Sequence, residues 1–516
     1  MDPRDERDDM DGPLGELRGP IHDLRGPVGL GPDDDEDSGL GPAFDDEAPV
    51  DADDAPLAPL EGDEAEDVLT RYLVIEAALA ERWPESRIEP TLDRIRSLVE
   101  LLGDPHQAYP VIHVAGTNGK TSTARMIESL LRAFGLRTGL FTSPHLHSVR
   151  ERIRLDGEAI DSERFIRIHD DIAPYVAIVD RTSAGSGGPR LSFFEIMTAM
   201  AYAAFADAPV DVAVVEAGMG GSWDATNVVD STVAVVTPVD LDHREYLGAT
   251  VSAIAGEKAG IIKPGGTAVL AAQSLEAAEV LMRRCVETGA TVAREGVEFG
   301  VVDRAPAIGG QLLTLRGPGG DYDDVFLPLF GAHQAENAAV ALAAVEAFLG
   351  GGSAPLNPDL VRQGFASVVS PGRLEVVRRG PTVVVDAAHN PHGARALAAA
   401  ISDGFEFTSL IGVVAVLADK DARGLLEALE PVLAEVVVTR SSSPRATDVD
   451  VLAAIAVEVF GPDRVQVEPR LGDALDAAIA RADEAAADLG GGTGVLVTGS
   501  VVTAAEARAL LGRGEA

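Results

Sequence analysis

A single cysteine, Cys285, stands in 516 residues. That excludes an internal disulfide or a thiolate cluster and fits a reducing compartment. Positive charge is also scarce: 42 Lys and Arg against 83 Asp and Glu give a formal net charge of −41, which argues against a nucleic-acid-binding surface. Long apolar runs are missing too. The longest, Ile196 to Ala206, falls short of the roughly 20 residues that cross a bilayer. The N-terminus opens with Asp, Pro and Arg rather than the basic and then apolar run of a signal peptide. The expectation is a soluble, cytoplasmic protein with no membrane or nucleic-acid partner.

What is present is unevenly distributed. Residues 1–67 hold 24 Asp and Glu against four Arg, with acid clustered at Asp33-Asp34-Asp35-Glu36-Asp37 and Pro and Gly scattered through. Few apolar groups are left there to recover the ordering entropy of folding, so the segment reads as a disordered acidic tail. The remaining 449 residues are ordinarily acidic, and the chain as a whole is 46% hydrophobic. At ~100–200 residues per domain they suggest two or three domains.

From Val68 onward a helical pattern begins, with Leu98, Val99, Leu101 and Leu102 completing an apolar face. Strand-like runs then alternate with helical ones: Val111 to Val114, Val212 to Val215, Val233 to Val236, Ala268 to Leu270, Val383 to Val385, Val413 to Val416, Val436 to Val438 and Val495 to Val497. Ala- and Leu-rich helical stretches such as Glu336 to Leu349 and Gly424 to Ala434 lie between them. Short apolar strands separated by helices imply parallel sheets covered on both faces, an α/β fold. Two Gly-rich stretches, Thr182 to Pro189 and Gly350 to Pro355, read as surface loops. The second places a boundary near residue 370, giving a large domain over 68–369 and a smaller one over 370–516.

The run Val111 to Ser122 holds a strand, a glycine turn Gly116-Thr117-Asn118-Gly119 and a helix start at Lys120, Thr121 and Ser122. The helix's inner face carries Met126, Ile127, Leu130, Leu131 and Phe134. Such a turn aims free backbone N–H groups at an anion, and Lys120 supplies charge for the outer phosphates. The general nucleotide motif places another Gly where Val114 stands, so this loop is a shorter version. A triphosphate calls for a divalent metal with oxygen ligands, and candidates stand at predicted strand ends, where open α/β sheets bind ligands. These are Glu216, followed by Gly218, Gly220 and Gly221, then Asp242 and His243, then Lys258. Taken singly, each has a bland reading: a surface acid, a loop histidine, a solvated lysine.

Together the segments resemble the folylpolyglutamate synthase and dihydrofolate synthase family, a branch of the Mur ligase superfamily. The resemblance rests on Gly116-Thr117-Asn118-Gly119-Lys120, Thr142-Ser143-Pro144-His145-Leu146, Ser192-Phe193-Phe194-Glu195, Glu216 to Gly221, Asp224-Ala225-Thr226-Asn227, Asp242-His243 and Glu257-Lys258-Ala259-Gly260-Ile261. In the second half it rests on Gly331 to Ala339, Pro371-Gly372-Arg373, Asp386 to Pro391, Asp419-Lys420-Asp421 and Thr498-Gly499-Ser500. It implies a large ATP-binding domain with a parallel-rich sheet and a smaller Rossmann-like C-terminal domain. It also implies ATP, two magnesium ions held by Ser143, Glu216 and His243, and a carbamylated Lys258 whose carbamate serves as a further metal ligand. Asn337, Arg373 and Asp386 would contact ATP, and His389 would lie near the reacting phosphate or the incoming amino acid. Lys120, Lys258 and His389 are thus the implied catalytic residues, and Gly116, Thr117, Asn118, Gly119, Thr121 and Ser122 complete the nucleotide site.

The implied reaction joins L-glutamate to dihydropteroate or to the γ-carboxylate of reduced folates through an acyl phosphate. The implied enzyme is a monomer acting on small molecules. Phe193, Phe194 and Leu146 are candidates to pack the pteridine, and Arg150, Arg152 or Arg154 to meet a glutamate tail. Two positions depart from the family: Thr121 stands where Gly is frequent, and Ser222 where Arg is common. The alternatives are a sister ligase with a non-folate acceptor and a nucleotide-binding protein without catalysis.

Overall fold

The computed structural model describes residues 63–83, 89–489 and 491–514; the tail reading of residues 1–62 lies outside them. The first helix, Asp63–Ala80, begins five residues before the apolar pattern does. Residues 63–67, assigned to the tail by composition, are its opening turn, where acid is favoured by the helix dipole.

Eight strands form the first sheet, in the spatial order Glu158–Ala159, Ile153–Leu155, Thr138–Phe141, Val212–Glu216, Val111–Ala115, Val233–Val236, Thr267–Leu270 and Thr291–Arg294. The last six run parallel, and the first two are antiparallel edge strands. Alternate side chains feed opposite faces. Ile112, Val114, Val212 and Val214 join the core beneath the helix Lys120–Ala133, whereas Val111, Ala213 and Val215 join the one beneath Phe193–Asp207. Both faces are covered, so these strands read as continuous apolar runs.

A second sheet of six strands has the order Glu375–Arg379, Thr382–Val385, Thr493–Thr498, Ser409–Val414, Glu435–Arg440 and Val465–Arg470, parallel except for the first. Its two faces are likewise split between separate cores, Val384 and Leu496 on one side and Val383, Val385, Val495 and Val497 on the other. The parallel-rich α/β class is as expected.

Several local expectations fail for physical reasons. A three-stranded antiparallel sheet, Gly300–Ala307, Gly310–Arg316 and Asp321–Leu327, was not anticipated, because its strands are half-buried and never show an apolar run. Residues 182–185 of the expected Gly-rich loop continue the helix Ser162–Gly185, where the hydroxyls of Thr182 in its last turn and of the capping Ser186 bond back to helix carbonyls. Leu101 stays exposed at the end of the helix Asp93–Leu101 while Leu98 and Val99 are buried. Among the described residues no helix is long and apolar enough to cross a membrane.

Candidate active site

The carboxyl ends of adjacent parallel strands deliver the site, at the place where chain order reverses across the sheet. From Val111–Ala115 comes the turn 116–119, from Val212–Glu216 the carboxylate of Glu216, and from Val233–Val236 the loop ending in Asp242 and His243. The turn is built on glycine. Gly116 has φ +153°, and a Cβ there would fall 1.8 Å from Thr237 Oγ1; Gly119 has φ +84°, and its Cβ would fall 2.5 Å from Asn337 Oδ1. Thr117 ties the turn to the neighbouring loop, its N–H donating to Pro238 O and its hydroxyl to Asp240 O, each at 3.0 Å. No side chain caps the helix that begins at Lys120, so its first amides are free for an anion. Lys120 Nζ curls back over the turn, donating to Gly116 O at 3.2 Å and Thr117 O at 3.3 Å.

Glu216 is 1% exposed. Its carboxylate accepts from Thr121 Oγ1 at 2.9 Å and from the Ser143 amide at 3.2 Å. Burial pushes its pKa up, against the pull of Lys120, Thr121, the Ser143 amide and Arg373. Thr121, the departure from the family's glycine, thus hydrogen-bonds the acid itself. The loop that presents Ser143 is held by Glu151, whose oxygens accept from the amides of Leu146, His147 and Ser148.

Lys258 is buried and donates to Gly116 O at 2.6 Å. Burial, with Lys120 nearby, lowers its pKa to about 7. His243 sits at φ +47°, and burial lowers its pKa to about 3, so its imidazole is neutral at ordinary pH. The donor set is one buried carboxylate with hydroxyls and an imidazole, and among the described residues no group of three or more His, Cys, Asp or Glu is placed to hold an ion. That chemistry suits magnesium, which takes one or two carboxylates together with substrate phosphates.

The second sheet presents its own carboxyl ends to the same space. Asp386 follows Thr382–Val385, and its oxygens accept from the amides of Leu374 and Ala388 at 2.8 and 2.7 Å, bracing the turn that carries Arg373. Burial raises its pKa. His389 Nδ1 lies 3.1 Å from Ala387 O, and its Nε2 lies 3.7 Å from Asp242 Oδ2. The catalytic, nucleotide-binding and metal candidates from the sequence all line one cavity of about 910 Å³, from Gly116 through Ser122, then Ser143, Glu216, His243 and Lys258, to Asn337, Arg373, Asp386 and His389.

Other expectations are corrected. Of the three pteridine candidates only Phe194 lines this cavity. Phe193 lies 5.0 Å beneath the Arg152 guanidinium, and Leu146 borders a separate smaller space. Arg150, Arg152 and Arg154 do not line it either: Arg150 stacks over Tyr72, Arg152 donates to His145, and Arg154 bonds Gly157 O. Ser222 is turned away, its hydroxyl donating to Glu257 O.

Sequence reasoning assigned no role to Arg94, Trp83, Asn390 or Lys420. Arg94 donates to Glu195 at 3.0 Å and stacks 5.7 Å from the Trp83 ring. Glu195 in turn closes a capping box with Ser192, so the Ser-Phe-Phe-Glu motif is first a helix start. Asn390 exchanges amide hydrogen bonds with Asn118, at 3.4 and 3.2 Å. The charged triplet Asp419-Lys420-Asp421 after a strand was the signal for Lys420.

A phosphate turn, a buried acid on the neighbouring strand and an arginine brought from a second α/β sheet define a Mur-ligase type of nucleotide site. Residues 189–345 match the Mur ligase middle domain and residues 372–501 the Mur ligase glutamate ligase domain. The chain is 54% identical over 463 residues to the dihydrofolate synthase/folylpolyglutamate synthase of Mycobacterium tuberculosis, covering 87% of this chain and 95% of that one. The Escherichia coli enzyme of the same name is 32% identical over 420 residues, 81% of this chain and 90% of that one. Among solved structures, Mycobacterium tuberculosis folylpolyglutamate synthase complexed with ADP superposes with a TM-score of 0.84 at 54% identity, covering 87% of this chain and all of that one. Escherichia coli FolC in complex with DHPP and ADP gives 0.74 at 30% identity, covering 86% and 97%. The chain belongs to the dihydrofolate synthase/folylpolyglutamate synthase family.

Proposed function

We propose that this chain adds L-glutamate to dihydropteroate and to the γ-carboxylate of reduced folates, cleaving ATP to ADP and phosphate. The observation that carries this reading is the convergence of the phosphate turn, Glu216 and the segment Arg373 to His389 on one cavity. A carboxylate is a poor electrophile. Its oxygen attacks the γ-phosphate, ADP leaves, and an acyl phosphate forms; the amine of glutamate attacks the acyl carbon, loses a proton, and orthophosphate departs. Phosphoryl transfer of this kind asks mainly for positioning and charge neutralisation. Lys120 and the free amides of the turn hold the phosphates, and Arg373 adds a guanidinium from the second sheet. His389 would take the amine's proton, its ring held by the Ala387 carbonyl.

Magnesium, when bound, neutralises phosphate charge; Glu216, Ser143 and His243 would hold it. Lys258 would carry a carbamate as a further ligand, formed as its neutral amine adds CO2 and releases a proton, and a buried amine with a pKa near 7 supplies that neutral form. Domains over 68–369 and 370–516 would meet at the cavity, each contributing one parallel-rich sheet. The protein would work as a cytoplasmic monomer on small molecules. Glutamate-dependent phosphate release, measured separately with dihydropteroate and with tetrahydrofolate, tests the reading. Turnover is expected with both, and release with neither acceptor would overturn it.

A further inference from the structure

Helix Lys120–Ala133 carries a charge that the nucleotide reading leaves without a task. Arg125, one turn beyond Thr121, makes no hydrogen bond and no ion pair with any described residue. It is not solvated like a surface arginine: burial lowers its pKa to about 10, and Arg154 and Arg373 push the same way while Glu151 and Glu216 oppose them. Its side chain lines a small space of about 20 Å³ between the loop 142–151 and the turn 370–373.

Arg373 lines both this space and the main cavity, and among the described residues its one hydrogen bond is to the carbonyl of Gly372. The hydroxyl-bearing residues Thr121 and Ser370 stand on the same wall. Among the described residues lining it, the acid is Glu151, already committed to three backbone amides. Glu216 is likewise taken up by Thr121 and the Ser143 amide. Asp386, whose carboxylate also feels Arg373, is held by the amides of Leu374 and Ala388, so neither guanidinium has a carboxylate in ion-pair contact among the described residues, which is costly. Their planar forks match an oxyanion.

We propose that this space is a subsite for a phosphate group, with Arg125 as its inner charge and Arg373 shared with the nucleotide cavity. A space of this size takes about one water, hence one phosphate oxygen, with the rest of the group standing in the cavity that Thr121 and Arg373 also line. Phosphate rather than carboxylate is favoured by the neighbouring phosphate turn, whose helix begins without a side-chain cap. The inference rests on the proposed ATP cleavage, and the phosphate is then either the nucleotide's own or the orthophosphate released.

The test is titration of the full chain with inorganic phosphate and, separately, with a non-hydrolysable ATP analogue, for the wild type, Arg125→Lys and Arg125→Met. Arg125→Met is expected to weaken at least one ligand by roughly tenfold, and Arg125→Lys, which keeps the charge but not the fork, to fall between the wild type and Arg125→Met. Loss confined to inorganic phosphate identifies the released product; loss on the analogue identifies the nucleotide. Unchanged affinity for both ligands in Arg125→Met overturns the proposal. Circular dichroism checks folding, and Arg125→Gln replaces the Met variant if that one fails to fold. These readouts need no turnover, so missing glutamate ligation in the wild type would sink the functional reading separately.

Discussion

Lys420 and Asp242 meet 2.8 Å apart, one from the loop after Ser409–Val414 in the second sheet and the other from the loop after Val233–Val236 in the first. Their side chains are 9% and 11% exposed. Burial works to raise the Asp242 pKa, but His389, His243 and Lys420 overcome it and hold the group well below the usual carboxylate range. Asn390 adds a contact to the same carboxylate at 3.4 Å. The pair therefore joins the two sheets at the edge of the cavity.

Removing one partner strands a buried charge. Lys420→Met is expected to cost about 3 kcal/mol, the low end for one-sided loss of a buried pair. Asp242→Asn with Lys420→Met should cost less than the sum of the single changes, because neither charge is then left alone. Urea unfolding of the four-member cycle measures the coupling. Strictly additive losses would show that the contact does not join the sheets energetically.

Lys258 carries a second expectation. Its amine is neutral for a usable fraction of the time only because burial has brought its pKa to about 7. Carbamate formation consumes the neutral amine, so activity at low CO2 should fall as the pH drops below about 7 and recover when bicarbonate is added. Lys258→Ala should lose about 10²–10³-fold in turnover, the scale of removing one preorganised electrostatic group. Formate or acetate should restore part of it. Turnover of the alanine variant at the wild-type level would exclude a metal-bridging role for this lysine.

Much of this site was legible because phosphate chemistry leaves local marks: glycines at fixed offsets, a lysine at the helix start, an acid ending an apolar strand. Contacts between distant segments leave none. Nothing in the sequence pairs Asp242 with Lys420, 178 residues apart, or Asn118 with Asn390. Arg150, Arg152 and Arg154 were open to two readings, a glutamate tail or pairing within the protein, and the structure shows the second: each is folded onto a partner, Tyr72, His145 and Gly157 O. Valine-rich strands buried on both faces were readable from their apolar runs, whereas Thr138–Phe141, equally buried but opening with Thr and Gly, was not. The half-buried sheet at 300–327 was not, because polar residues such as Asp303, Asp323 and Asp324 interrupt it.

His113 sets an acid limit. It is fully buried in Val111–Ala115, and burial, with Lys263 adding, pushes its pKa down to about 3. Nε2 lies 2.8 Å from Thr226 Oγ1, whose hydroxyl donates to Asp224, and Nδ1 has no hydrogen-bond partner among the described residues. The unfolded imidazole takes its proton near 6.5. Between pH 6.5 and 3 the unfolded state therefore holds one proton more, and stability falls as acid is added, by about 1.4 kcal/mol per pH unit from this group. Above pH 6.5 the contribution is complete and flat. His113→Gln should shrink the stability difference between pH 6.5 and 5 by about 2 kcal/mol. An unchanged difference by urea unfolding would assign the acid sensitivity elsewhere.

Gly116→Ala tests the phosphate turn itself. A methyl group there would stand 1.8 Å from Thr237 Oγ1 and 3.0 Å from the Thr237 carbonyl, and Thr237 is fully buried. Neither neighbour can rotate away, because the Thr237 amide and hydroxyl both donate to Ala115 O. The turn must move instead. Overpacking of this kind costs about 1–3 kcal/mol of stability, and displaced amides no longer converge on a phosphate. Nucleotide affinity should fall by roughly tenfold or more, the worth of one charge-assisted hydrogen bond. Thr237→Ala added to Gly116→Ala removes the hydroxyl but leaves Cβ and the carbonyl, so it should recover only part of the loss. Calorimetric titration with ADP reads both variants. Wild-type affinity in Gly116→Ala would mean that the turn tolerates a side chain and does not grip phosphate through its backbone.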